Sequence, residues 1–168
     1  MQLSSVDRVG LARAEWAREE PGLDTAPMEI IGRILRVAHL ADARIRRVLR
    51  RHGLDRGGLD VLATLRRSGP PYRLTPTRLY QELVLTSGAM THRVDALARA
   101  GLVERIPAPG DRRSSLVGLT ERGKQVAGQA MAAHMACEAA MAASLPEADQ
   151  PVLAELLTKL LAGIEEET

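Results

Sequence analysis

Apolar residues recur three and four positions apart over most of the chain, which predicts a protein built mainly of helices. Val6, Val9, Ala12, Arg13 and Trp16 follow that spacing, giving a helix over 5–20 that Pro21-Gly22 ends. Ile30, Ile31, Ile34, Val37, Ala38, Ala41 and Ile45 line one side of a long second helix over 27–52. Its far end is crowded by Arg44, Arg46, Arg47, Arg50 and Arg51. A shorter helix over 57–68 runs into Gly69-Pro70-Pro71. Thr120 is placed to cap a helix reaching about 144, rich in Ala and Met, and 146–166 forms the last helix. Leu153, Leu156, Leu157, Leu160, Leu161 and Ile164 make a stripe along that last helix. Such a stripe is buried either in the chain's own core or against helices of a second copy.

Between 74 and 120 the pattern changes. Thr75-Pro76 offers an N-cap hydroxyl followed by a proline at N1, where no amide hydrogen is needed, and Leu79 and Leu83 give this short helix its buried side. Thr86 is the expected N-cap of the next helix and Gly101 its stop. At about 100° per residue, Met90, Val94, Leu97 and Gly101 share one arc, while Ser87, Gly88, Thr91, His92 and Asp95 share the opposite side. Residues 102–106 read as a strand, 107–110 as a break, and 116–119 as a returning strand, with Asp111-Arg112-Arg113 at or just after the tip.

A helix, a turn, a second helix and a basic hairpin together suit duplex DNA. The second helix enters the major groove and the hairpin reaches a neighbouring minor groove. The residues placed to touch DNA are Thr75, Thr77, Ser87, Gly88, Thr91, His92, Arg93, Asp111, Arg112 and Arg113. Taken singly, the polar helix side also reads as a solvated face and the Asp-Arg-Arg run as a wet turn; their order along the chain favours the winged helix-turn-helix.

Here the chain resembles the MarR family of transcription regulators. The resemblance is carried by 75–83, by Thr86-Ser87-Gly88-Ala89-Met90-Thr91-His92-Arg93, by Gly101-Leu102-Val103-Glu104-Arg105, by Asp111-Arg112-Arg113 and by Leu119-Thr120-Glu121-Arg122-Gly123. It implies one mainly α domain over 1–168 with a small β-wing. Helices in 1–52 serve dimerisation and the ligand pocket, 53–122 form the DNA-binding lobe, and helices in 123–168 complete a homodimer on a pseudo-palindromic operator. It also implies that Arg113 enters the minor groove, steadied by Asp111. Pro109-Gly110 before that aspartate departs from the acidic residue or asparagine of many members.

Charge fits this division. Residues 33–122 hold 18 arginines against 8 acidic residues, while both flanking segments are net acidic, so the basic character is concentrated in the lobe assigned to DNA. Arginine outnumbers lysine 21 to 2, which suits bidentate phosphate and guanine contacts and equally fits a GC-rich coding sequence. The single cysteine excludes an internal disulfide framework, and no apolar run reaches membrane-spanning length, so a cytoplasmic protein is expected. No serine elbow, glycine-rich phosphate loop, H-E-x-x-H or carboxylate pair points to an enzyme, and no cofactor or metal is expected. His134 and Cys137 are three apart on a helix, too few for a closed metal site. His39 and His134 suggest a pH-tuned pivot near the dimer axis.

The helix carrying Trp16 is added to the minimal family plan and narrows the resemblance to the urate-responsive, PecS-type subgroup. That subgroup surrounds a small anionic purine with a tryptophan, an aspartate and two arginines, matched here by Trp16, Asp60, Arg67 and Arg93. Asp60 and Arg67 are seven apart, hence on one side of a helix; Arg67 can pair with an anionic edge and Trp16 offers a flat apolar surface. The alternatives are an ordinary packing tryptophan, a plain surface ion pair and an arginine that holds a phosphate. The function implied is a repressor released from its operator by urate or a related purine. A regulator of small carboxylates such as aconitate and a DNA-binding protein with no effector are the readings kept beside it.

Overall fold

The computed structural model describes residues 7–83, 87–108 and 111–166 and, within them, all side chains except those of 87, 89, 108 and 111–114. The chain gathers into two compact units, 1–44 and 45–168. The elements run α1 (Arg8–Glu19), a 3₁₀ turn (Ala26–Glu29), α2 (Ile31–Arg50), α3 (Arg56–Arg67), β1 (Arg73–Leu74), α4 (Pro76–Leu83), α5 (Ser87–Arg99), β2 (Val103–Ala108), β3 (Asp111–Leu119), α6 (Glu121–Ala142) and α7 (Asp149–Glu165).

In the N-terminal unit, α1 begins at an Asp7 cap, whose carboxylate accepts from the Gly10 amide at 2.8 Å. The same carboxylate receives Arg33 Nε at 2.8 Å, tying the start of α1 to α2. The Gly10 amide first, and Arg33 beside it, hold the Asp7 carboxyl below its ordinary pKa. Glu29 is shared between Arg13 of α1 and Arg33 of α2. The expected helix over 27–52 starts instead as the 3₁₀ turn, with α2 beginning at Ile31. Just before that turn the Asp24 carboxylate accepts from the Ala26 amide at 2.9 Å. In a single chain, Leu11, Trp16, Leu23, Ile31 and Leu35 remain exposed.

The C-terminal unit has one core. Leu49, Val61, Leu62, Leu65, Leu79, Val94 and Val117 are fully buried, with Ala127 and Ala130 of α6 closing one side. Helix α3 runs through the middle of this cluster, which fixes everything mounted on it. Thr75 and Pro76 open α4 as the local pattern requires, the Thr75 hydroxyl accepting from the Arg78 amide at 3.2 Å. Gly101 ends the recognition segment at φ +70, a left-handed conformation that favours glycine.

The wing is a three-stranded sheet in the order β1-β3-β2. Both strands of the hairpin are longer than the sequence pattern gives: β2 continues through Pro107 to Ala108, with an irregular register there. β2 lies at the sheet edge, where a proline costs no internal ladder bond. β1 has only two residues, Arg73 opposite Gly118 and Leu74 opposite Val117.

Thr120 locks the wing to α6. Its hydroxyl donates to the Gly101 carbonyl at 2.8 Å and accepts from the Gly123 amide at 2.9 Å. Removing both bonds in Thr120→Ala should cost about 1–2 kcal/mol, read as a lower midpoint in urea unfolding; an unchanged midpoint would remove Thr120 as the lock. No residue of α7 is buried in the single chain.

Candidate functional site

Helices α4 and α5 form the helix-turn-helix. Met90, Val94 and Leu97 turn into the core, which leaves Gly88, Thr91, His92 and Asp95 exposed along the other side of α5. Among the described residues, a Cβ at Gly88 would meet nothing within 4 Å. Thr75 and Thr77 are exposed at the start of α4, and Thr77 and Thr91 border a cavity of about 190 Å³ between the two helices. Asp95 accepts from Arg105 at 2.7 Å, joining the exposed side of α5 to β2. Ser87 opens α5 and Asp111, Arg112 and Arg113 open β3; their side chains, and Thr86 as a whole, lie outside the described residues.

Arg93 departs from its neighbours. It is half-buried, and its guanidinium lies over the backbone of α3 at Gly57. Asp60 stands one turn further along α3, partly buried. Burial pushes its carboxyl above the ordinary pKa, against the pull of the positive charges of Arg56 and Arg93. Arg93 also lines a cavity of about 210 Å³ with Leu54, Asp55, His92, Leu97 and Leu102. One arginine thus joins the recognition helix, a partly dry carboxylate and an apolar recess.

Arg67 is placed differently. It is exposed, donates to Thr64 Oγ1 at 3.2 Å, and lines a separate cavity of about 160 Å³ with Ser68, Leu74, Arg78 and Glu82. Seven residues advance about 10 Å along a helix, so a shared side does not bring Arg67 to Asp60. The charges acting on Asp60 belong to Arg56, Arg93, His134 and Asp55. Trp16 belongs to the N-terminal unit, where it is 44% exposed near the end of α1. His39 is exposed on α2. His134 is mostly buried on α6, with Nε2 at 3.1 Å from Glu138 and Nδ1 without a hydrogen-bond partner among the described residues.

A sequence model of the MarR family matches residues 52–114. The transcriptional regulator PecS of Dickeya dadantii is 34% identical over 146 residues, covering 87% of this chain and 88% of PecS. The chain belongs to the MarR family. Among solved structures, an Escherichia coli MarR variant complexed with operator DNA superimposes with a TM-score of 0.67 at 28% identity, covering 82% of this chain and 99% of that one. Sco5413 of Streptomyces coelicolor shares the fold, with a TM-score of 0.69 at 22% identity over 84% of this chain and 97% of its own.

Within this MarR-family regulator, sequence reading passed over Gly57 and Arg56, and did not connect His134 with Asp60. The available signal for Gly57 was a glycine pair at 57–58 inside a helix, a choice that propensity disfavours and packing usually explains. No described helix is long and apolar enough to cross a membrane.

Proposed function

We propose that this regulator is a homodimeric repressor that binds a pseudo-palindromic operator and releases it on binding a small planar anion, urate or a related purine. In this reading α5 enters the major groove with Gly88, Thr91 and His92 foremost, and the wing arginines Arg112 and Arg113 reach a minor groove. The likeness to a MarR protein complexed with operator DNA supports the DNA half. The exposed leucines of α7 support the homodimer, since a helix with that much apolar surface needs a partner.

The effector half rests on one observation: the guanidinium of Arg93, a residue of the reading helix, lies over Gly57 of α3, one turn from Asp60, on whose carboxylate its charge acts. An anion drawn to Arg93 would crowd the Asp60 carboxylate and pull on the helix that reads DNA, while Arg67, which lines its own cavity in the single chain, enters the pocket through the resemblance to the urate-responsive subgroup. Trp16 supplies the flat apolar face. Release then follows from a difference in ligand affinity between two arrangements of the lobes, the only way a ligand shifts such an equilibrium.

The experiment is a mobility shift of the purified protein on its own upstream DNA at fixed salt, across a urate titration, for wild type and Arg67→Ala. Urate is expected to dissolve the wild-type complex, and Arg67→Ala should need at least about tenfold more. Equal release from both proteins would remove Arg67 from the pocket. Release by aconitate and not by urate would transfer the site to small carboxylates, and indifference to both would leave a repressor without this effector.

A further inference from the structure

Gly57 is buried as the second residue of α3, and the space beyond its Cα is already filled. A Cβ built there would overlap Cζ and Nε of Arg93 and stand 2.7 Å from Nη2. Gly58 is different, for its Cβ would meet Asp55 Oδ1 at 3.0 Å and Leu54 and Leu97 at 3.5 and 3.6 Å. The guanidinium of Arg93 therefore uses the room that any other residue at 57 would occupy. Gly57 and Asp60 are three apart and so neighbours on the same side of α3.

We propose that Gly57 is the positioning residue of the effector response, its bare backbone seating the Arg93 guanidinium beside Asp60 and so joining the ligand pocket to the DNA-reading helix. An arginine stem has many rotamers of similar energy, and a seat shaped by a missing side chain selects one of them. The overlap is with the far end of a flexible chain, so alanine at 57 displaces Arg93 and spares the core. Alanine also favours the helix over glycine, which separates a loss of response from a loss of folding. The geometric half of this inference stands alone; the functional half rests on the effector reading above.

The test follows Asp60 itself. Carbon NMR of the aspartate carboxyls in the full-length protein, with the Asp60 signal assigned by its loss in Asp60→Asn, gives its titration midpoint in wild type, Gly57→Ala, Gly58→Ala and Arg93→Ala. Arg93 favours the charged carboxylate, so its displacement raises the midpoint. Gly57→Ala should move upward with Arg93→Ala, and Gly58→Ala, which presses only on the weaker and opposite charge of Asp55, should show no such rise. A Gly57→Ala midpoint equal to wild type, or an equal rise in Gly58→Ala, overturns the seat. In the mobility shift, Gly57→Ala should need at least about tenfold more urate than wild type to release DNA. A moved midpoint with an unchanged urate response overturns the coupling. A wild type that ignores urate refutes the effector reading, while the titration still decides the seat.

Discussion

Gly123→Ala is expected to destabilise the protein by about 3 kcal/mol or more, among the largest effects of any single methyl group in the C-terminal unit. A Cβ at Gly123 would overlap the carbonyl oxygen of Leu102 and come within 2.9 Å of its carbon. Neither atom can step aside. Leu102 is 5% exposed at the head of β2, its amide donates to Leu97 at 3.0 Å, and its carbonyl accepts from the Thr120 amide at 3.2 Å. The start of α6 would have to move away from the turn that joins α5 to β2. That motion breaks the Gly123 amide's bond to the Thr120 hydroxyl at the same time. For a domain of this size the midpoint of thermal unfolding should fall by roughly 10 °C. A variant melting within a degree or two of wild type would show that α6 is not held against the Leu102 carbonyl. Gly57→Ala is the instructive contrast, because its obstacle is a side chain that can swing aside.

The same contrast marks what the sequence can tell. The two faces of α5 were legible because the fates of Met90, Val94 and Leu97 depend only on period, and all three are buried as the pattern requires. The caps at Thr75 and Thr120 were legible for the same reason, since a cap bonds to an amide three residues ahead. β1 was not, because two residues make no alternating pattern and its existence depends on β3, more than forty residues later. Nor was the role of Gly57, whose neighbour Arg93 is brought to it only by tertiary packing. Asp60 and Arg67 show the limit of helical spacing: period gives a side, while the reach of a side chain is decided by its surroundings, here Thr64 for Arg67 and burial beside Arg56 and Arg93 for Asp60. The apolar side of α2 is a further case. Its periodicity is clear, yet Ile31 and Val37 are 41% and 64% exposed in a single chain, so the pattern predicts burial without naming what covers it.

Leu157→Glu should separate the proposed dimer. Leu153, Leu156, Leu157, Leu161 and Ile164 are 41–57% exposed along α7, an apolar stripe far too continuous for a solvated helix. In a two-fold interface every residue counts twice, so one substitution removes two leucines and inserts two carboxylates. With Leu157 only 41% exposed in the single chain, the apolar loss is about 0.6–1.2 kcal/mol for each leucine, and burying each new carboxylate costs several kcal/mol more, so the dimer dissociation constant should rise by roughly 100-fold or more. Light scattering behind size exclusion should then report a monomer at micromolar concentration. Operator affinity should fall by about 100-fold or more, because two half-sites would have to be held by independent lobes. Lys159→Gln, on the far side of α7 where Lys159 pairs with Glu155, should leave the mass unchanged. A Leu157→Glu protein that stays dimeric and binds operator like wild type would take α7 out of the interface. The apolar surface of α1 and α2 would then have to carry the assembly, and the two half-sites would be spaced by helices of the N-terminal unit.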